Sequence, residues 1–189
     1  MISVVSEPQS LRGRLLVAAP PLVDPNFDRT VVLMVEHGDD GGLGIVLNRP
    51  SDTTVSDVFP EWHELASAPE VVFSGGPVST EAVIALARRR RHDIEGFVEI
   101  LDDLGTIDLA DDPLAIGASL QTLRVFAGYA GWAPGQLEGE LAEGAWFVVN
   151  LEPSDPFSPT PERLWRDILR RQRGRLALFS NYPEDATVN

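Results

Sequence analysis

Two nearly uninterrupted apolar runs, residues 30–36 and 43–48, flank a stretch, 37–42, that holds two aspartates and three glycines. Such runs on either side of a glycine-rich turn predict a β-hairpin, here with a six-residue loop. A hairpin with one wet face alternates apolar and polar residues, whereas continuous apolar runs belong to strands covered on both faces. The chain must therefore build layers on both sides of this hairpin. Its 189 residues suffice, because a chain of that length buries about 70% of its unfolded surface without metal or disulfide.

The remainder reads as strands, loops and helices in alternation, a layered arrangement of the α/β type. Residues 1–10 read as a loose lead. Residues 11–19 predict a strand ended by Pro20 and Pro21, and 24–29 a turn-rich loop. Arg12 and Arg14 before the apolar run 15–23 mimic a signal peptide, but the run is short and a core strand is the better reading. Residues 56–67 carry Val58, Trp62 and Leu65 at helical intervals, interrupted by Pro60. Residues 71–73 predict a strand running into Ser74-Gly75-Gly76-Pro77. Residues 81–91 are ambiguous: propensity favours a helix capped by Ser79, yet Val83, Ile84 and Leu86 equally fit a strand. Eight acids and no base follow between 93 and 112, directly after the run Arg88 to Arg91, which predicts local charge compensation.

Residues 113–120 predict a helix with Asp112 as N-cap and Pro113 at its first position. Residues 122–127 predict a strand, 128–132 (Gly-Tyr-Ala-Gly-Trp) a loop, 134–143 a helix and 146–150 a strand. Beyond a connection at 152–161 with four prolines, Thr160 caps an amphipathic helix over 161–173, with Leu164, Trp165, Ile168 and Leu169 as its apolar face. Glu162 with Arg166 and Asp167 with Arg171 are spaced as acid-before-base pairs, each contributing about 0.2–0.5 kcal/mol. Gly174 ends this helix. Residues 176–179 predict a last strand, and 181–189 a frayed tail.

Composition narrows the chemistry. There are 29 acids against 15 bases, a formal charge of −14, which argues against coating nucleic acid or anionic membrane. The absence of cysteine excludes disulfides, thiol catalysis, iron–sulfur clusters and Cys-type zinc sites. All 15 bases are arginine, so P-loop and Schiff-base chemistry are excluded as well. No segment reaches the about 18–20 apolar residues of a membrane helix, and the expected location is the cytoplasm.

Several side chains remain as candidates. Ser74-Gly75-Gly76-Pro77 fits either an anion nest or a tight turn, and the turn is favoured because no phosphate-binding motif accompanies it. Ser74 lacks a nucleophile elbow, so a Ser74–His37 pair is a minor alternative. His37, Asp39 and Asp40 lack metal-ligand spacing and read as a solvated turn. Asn48-Arg49-Pro50 ends a strand, where Arg49 could fork a carboxylate or phosphate or pair with one of the chain's own acids. Tyr129, Trp132 and Gln136 surround a glycine-rich stretch, either lining a pocket or, the favoured reading, anchoring it to the core. Six arginines between 163 and 175 read as a solvated face or a contact for an acidic partner, not a groove-reading helix.

Taken in order, Leu15-Leu16-Val17-Ala18-Ala19-Pro20, Asp24-Pro25-Asn26-Phe27, Arg29-Thr30-Val31-Val32, Glu36-His37 and Gly44-Ile45-Val46-Leu47-Asn48-Arg49-Pro50 resemble the AlgH/YqgE family of bacterial proteins. Gly75-Gly76-Pro77, the block from Gly128 to Glu138, Trp146 and Trp165 resemble its later blocks. The resemblance implies an α+β fold with a mixed, bifurcated β-sheet curled into a pseudo-barrel with flanking helices. It implies one domain over residues 1–189, with a core at about 11–180 and flexible ends. It also implies that the chain continues as a strand after Gly75-Gly76-Pro77, which turns the ambiguous residues 82–87 into strand against propensity. The family brings no established catalytic residues. One branch carries a transcriptional-regulator label linked to polysaccharide production, which does not imply direct DNA contact.

The resulting expectation is a non-enzymatic binding or regulatory module with no cofactor, metal or catalytic residue. Its ligand-binding residues would be Asn48, Arg49, Gly75, Gly76, Tyr129 and Trp132 around one cleft. The expected partner is a small molecule or a protein, with no direct nucleic-acid contact and no membrane; a homodimer is compatible with the sequence. The alternatives are a hydrolase or transferase using Ser74 and His37, and a nucleic-acid regulator using the arginine runs.

Overall fold

A computed structural model of the chain describes residues 10–20, 22, 24–91 and 94–182. Apart from residues 10, 181 and 182, the expected loose lead and frayed tail lie outside these residues. Ten strands make up one branched sheet: β1 (Arg14–Ala18), β2 (Val31–Gly38), β3 (Gly41–Val46), β4 (Pro50–Thr54), β5 (Val71–Ser74), β6 (Val78–Arg89), β7 (Val98–Leu101), β8 (Leu104–Ile107), β9 (Leu120–Trp132) and β10 (Trp146–Asn150). Short helices lie between and after them: α1 (Val55–Val58), α2 (Pro113–Ile116), α3 (Gln136–Ala142), α4 (Leu164–Arg171) and α5 (Arg175–Phe179). The class is α+β, dominated by antiparallel pairing.

The apolar runs form the expected hairpin, but β2 and β3 pair out to Gly38↔Gly41, so the turn is Asp39 and Asp40 alone, tighter than the loop expected. Val31 to Met34 and Ile45 to Leu47 are all buried, as strands covered on both faces require. The main path of the sheet runs β10-β1-β2-β3-β9-β6-β8-β7, and its end strands do not pair with each other, so the sheet is open.

Strand β9 is the branch point. It runs parallel to β5 at Phe73↔Phe126 and Ser74↔Ala127, then antiparallel to β3 from Gly44↔Ala130 to Gly42↔Trp132. The Gly-Tyr-Ala-Gly-Trp block is therefore strand, not the loop expected from its glycines. Its alternation of buried and more exposed residues, with Gly128, Ala130 and Trp132 inward, is the period-2 signal of a strand. Strand β6 pairs with both β9 and β8, so residues 82–87 are strand, and Ser79 caps no helix. Here tertiary pairing overrides local helix propensity.

The C-terminal region differs from expectation in one element: residues 176–179 are not a strand but belong to α5, whose Phe179 stacks on Phe147 of β10 at 5.4 Å. The helix expected over 161–173 is a 3₁₀ turn at Pro161–Arg163 followed by α4, and Thr160 makes no side-chain cap bond. All four expected apolar residues of α4 are buried, and Trp165 donates its indole N–H to the Ala18 carbonyl at 2.9 Å. Arg171 forks Asp155 at 2.6 and 2.7 Å rather than pairing with Asp167. This bond to Asp155 raises the Arg171 pKa further. Asp112 caps α2 as expected, by accepting from Leu114 N–H at 2.9 Å, but α2 is only one turn long. Residues 56–67 form α1 and a separate 3₁₀ turn, Pro60–Leu65, with Trp62 buried. Among the described residues no helix is long and apolar enough to cross a membrane.

Candidate functional site

Three segments far apart in sequence meet at the place where β9 changes partners. The first is the 24–28 loop, in which Asp24 accepts the Asn26 N–H at its side chain and the Phe27 and Asp28 N–H groups at its carbonyl. Phe27 anchors this loop by packing against Trp132 and Trp146, with ring centroids 6.4 and 5.5 Å away. The second segment is the end of the hairpin. Asn48 is buried, accepts the Val31 N–H and donates to the Arg29 carbonyl, both at 2.9 Å. The next residue, Arg49, is exposed and donates to the Asp28 carbonyl at 2.6 Å, tying loop to strand.

The third segment is Ser74-Gly75-Gly76-Pro77 and the start of β6. Ser74 N–H donates to the Arg49 carbonyl at 2.8 Å, extending the Pro50↔Phe73 pairing by one rung. The two glycines allow the backbone to lie directly against β9. A Cβ on Gly76, whose φ is +150°, would sit 2.1 Å from the Tyr129 carbonyl carbon, and one on Gly75 would sit 2.3 Å from the Gly128 oxygen. Close approach, not an anion nest, is thus what fixes glycine at these two positions.

Together these segments enclose a groove of about 470 Å³ lined by Pro25, Asn26, Arg49, Ser74, Gly76 and Thr80, among others. Of the six residues expected around one cleft, Arg49 and Gly76 line this groove. Asn48 and Gly75 precede them and hold the backbone in place, and the Tyr129 backbone lies directly beneath Gly76. Trp132 is placed elsewhere: its indole donates to Glu140, it packs edge-on to Trp146, and its ring borders a second groove around His37. Asn26 and Thr80 were not among the expected site residues. Asn26 sits in the turn signal Asp-Pro-Asn, whereas Thr80 carries no sequence signal at all.

The second groove, about 650 Å³, holds Arg12, Glu36, His37, Asp39 and Asp40. The His37 side chain is only 6% exposed rather than solvated. Its Nδ1 accepts the Leu11 N–H at 3.3 Å, and its Nε2 lies 3.2 Å from Glu138 Oε1. Ser74 lies in the other groove; the structure does not bring Ser74 and His37 together. No three His, Asp or Glu side chains converge as metal ligands among the described residues.

Part of the arginine runs is absorbed into the fold, while Arg90, Arg91, Arg163, Arg173 and Arg175 are exposed. Arg88 and Arg89 pair with Asp103 and Glu99 and stack on Phe157 and Phe97, which is the local compensation expected from the acidic belt. Arg171 is taken by Asp155 and Glu152.

Comparison with known proteins agrees with this architecture. The profile of the family described as AlgH-like matches residues 15–177. A UPF0301 protein of Streptomyces avermitilis is 50% identical over the whole of both chains, and one of Thermobifida fusca is 44% identical over 95% of this chain and 96% of its own. Among solved structures, protein DIP2367 of Corynebacterium diphtheriae superposes with a TM-score of 0.87 at 33% identity, covering 94% of this chain and 95% of that one. The solution structure of the AlgH protein of Pseudomonas aeruginosa does so with a TM-score of 0.66 at 32% identity, over 96% and 98% of the two chains. With its sequence blocks, branched sheet and near-complete overlap with these proteins, the chain belongs to the AlgH-like family.

Proposed function

We propose that this protein is a non-enzymatic binding module, cytoplasmic and regulatory in role, whose ligand site is the groove at Arg49. One observation carries the proposal: three remote segments are locked together by the Asn48 amide and by backbone bonds from Ser74 and Gly75, while Arg49, Ser74, Asn26 and Thr80 are left at the groove's surface. A rigid frame with a few polar groups is what a small-ligand site needs. Covalent catalysis by Ser74 needs in addition a base within its reach, and Ser74 and His37 occupy different grooves.

On this reading residues 1–189 act as one domain. Its open sheet curls into the pseudo-barrel implied by the family resemblance. Support comes from one core cluster that joins residues of β1, β2, β3 and β5 to β10 around α4. A further support is the Arg12 guanidinium, which reaches from the start of β1 to the Glu99 carbonyl of β7, strands near opposite ends of the path. Regulation would run through a bound small molecule or protein rather than DNA, because Arg88, Arg89, Arg170 and Arg171 are paired with acids and the chain carries −14.

Native mass spectrometry of the purified protein tests the proposal. The expected result is a stoichiometric adduct or partner whose occupancy falls in Arg49→Ala. Reproducible turnover of a defined substrate, abolished by changing one polar side chain, overturns it.

A further inference from the structure

The chemistry of the Arg49 groove goes further than the presence of a site. Four grooves are described on the surface. The His37 groove contains Glu36, Asp39 and Asp40; a third, beside α2, contains Glu61, Glu64, Asp111 and Asp112; a fourth, between β6 and β8, contains Asp108. Of these four grooves, all formed by described residues, only the Arg49 groove is lined by a cation and by no carboxylate. In a chain with 29 acids and 15 bases, a groove lined by an arginine and by no acid runs against the composition.

Arg49 spends one N–H on the Asp28 carbonyl and has no carboxylate partner among the described residues. A guanidinium carries five N–H donors, so most of its capacity is open. The lining supplies further donors: the Ser74 hydroxyl, the Asn26 amide and the Thr80 hydroxyl, whose present bond to Glu81 Oε2 is long, at 3.5 Å, and gives way to a closer acceptor in the groove. Pro25, Pro50, Pro77 and Val46 give an apolar wall for the body of a ligand.

The backbone beside Thr80 is irregular in a way that serves this groove. Between Val78↔Tyr129 and Val83↔Ala127, β6 places residues 79–82 opposite Gly128 alone, and Ser79 has φ of +45°. A bulge of this kind re-aims side chains that a regular strand would direct elsewhere. A strained φ at a non-glycine residue persists only where the surroundings enforce it.

We infer that the groove binds an oxyanion, a carboxylate or phosphate on a small molecule, forked by Arg49 and flanked by the hydroxyls of Ser74 and Thr80. This rests on the binding-module reading and gives that site its ligand class. Arginine holds such groups through paired N–H···O bonds, a geometry that a lysine point charge does not reproduce.

The test is an amide-resolved NMR titration of the full chain with sodium acetate, inorganic phosphate and acetamide at constant ionic strength. Acetamide has the shape of acetate without its charge. Saturable shifts at residues 49, 74, 76 and 80 are expected with acetate or phosphate and not with acetamide. Whichever anion gives the lower dissociation constant identifies the headgroup. Arg49→Gln should weaken binding by about tenfold or more, and Arg49→Lys should restore it in part. Thr80→Val, which leaves the cation in place, should weaken it by about threefold to tenfold.

Equal shifts with acetamide, shifts that persist in Arg49→Gln, or no groove shift with either anion overturn the oxyanion assignment. Failure of the broader reading looks different. A neutral or cationic molecule co-purified in the groove removes the oxyanion and keeps the binding module. Measured turnover removes the module itself.

Discussion

At the scale of single residues, polar side chains hold this frame by bonding backbone rather than one another. Asn48 is the clearest case. Its amide satisfies one donor and one acceptor at the point where the 24–29 loop rejoins the sheet. Asn48→Asp keeps the acceptor for Val31 but turns a carboxylate oxygen toward the Arg29 carbonyl. A loss of about 2–3 kcal/mol is expected by urea unfolding, against about 1–2 kcal/mol for a neutral bond lost without repulsion. Trp146 is the apolar counterpart: 4% exposed, between Phe27 and Trp132, with its indole N–H on Glu140 at 2.8 Å. Trp146→Ala should cost about 3–5 kcal/mol, and a loss under about 1 kcal/mol would contradict its packing here.

Arg124 is a base held in the core without an acid. Its guanidinium donates to the carbonyls of Ala68, Pro156 and Ser158 and lies 4.4 Å over Phe73, binding two loops to β9. Burial lowers its pKa from the ordinary guanidinium range to about 10. Below that value both folded and unfolded chains carry the proton, and the desolvation cost is present in full. Above about 10, up to the ordinary guanidinium range, the unfolded chain holds more protons than the folded one, so this group's contribution to stability rises with pH. Arg124→Met leaves three carbonyls without their donor and should lose about 2–4 kcal/mol at neutral pH. The loss should be larger at about pH 11 than at about pH 9, read as the difference in urea midpoints. A pH-independent difference would mean that the guanidinium is hydrated rather than buried.

At the scale of elements, the decisive contact is backbone on backbone. The 74–77 segment lies so close to β9 that no Cβ fits at Gly76 without moving Tyr129, and φ of +150° strains any other residue there. Gly76→Ala should cost about 3 kcal/mol or more and abolish the groove together with stability. Gly135→Ala, with open space around its Cβ position, should lose only the about 1–2 kcal/mol attached to its positive φ. Thermal unfolding of the pair separates crowding from conformational preference.

The same contact explains what the sequence disclosed and what it hid. Continuous apolar runs marked β2 and β3, and a heptad-like stripe marked α4, because burial on a face is written in periodicity. Residues 81–89 resisted local reading because helix-forming Ala, Glu, Leu and Arg become strand only when β9 and β8 flank them. Residues 128–132 resisted it for the opposite reason: glycines that look like loop signals serve close packing inside a strand. Residues 176–179 do not extend the sheet at β10 but fold back on it as helix, where Phe179 stacks on Phe147. Of the groove, Arg49 and Gly76 were legible as strand-end and turn residues. Thr80 was not, since its position depends on a bulge that only the partner strand defines.

For the whole molecule, charge is the feature that no single contact offsets. The ion pairs Arg88–Asp103, Arg89–Glu99 and Arg170–Asp167 each have one partner about half exposed, and such pairs contribute about 0–1 kcal/mol. The Arg171–Asp155 fork is shielded, because Asp155 is 2% exposed, and salt weakens it little. Against these stands a formal charge of −14, whose self-repulsion is long-ranged and falls on unfolding as the chain expands. Screening should therefore remove more repulsion than attraction. Raising sodium chloride from about 0.02 to about 0.5 M shortens the Debye length from about 20 Å to about 4 Å. The expected response is a gain of about 1 kcal/mol, or about 2–4 °C in Tm for a chain of this size. An Arg49→Gln variant, one charge more negative, should show a slightly lower Tm in low salt and converge on the wild type in high salt. A Tm that falls with salt would mean that the local pairs outweigh the global field, and that the acidic belt at 93–112 is held by attraction rather than tolerated.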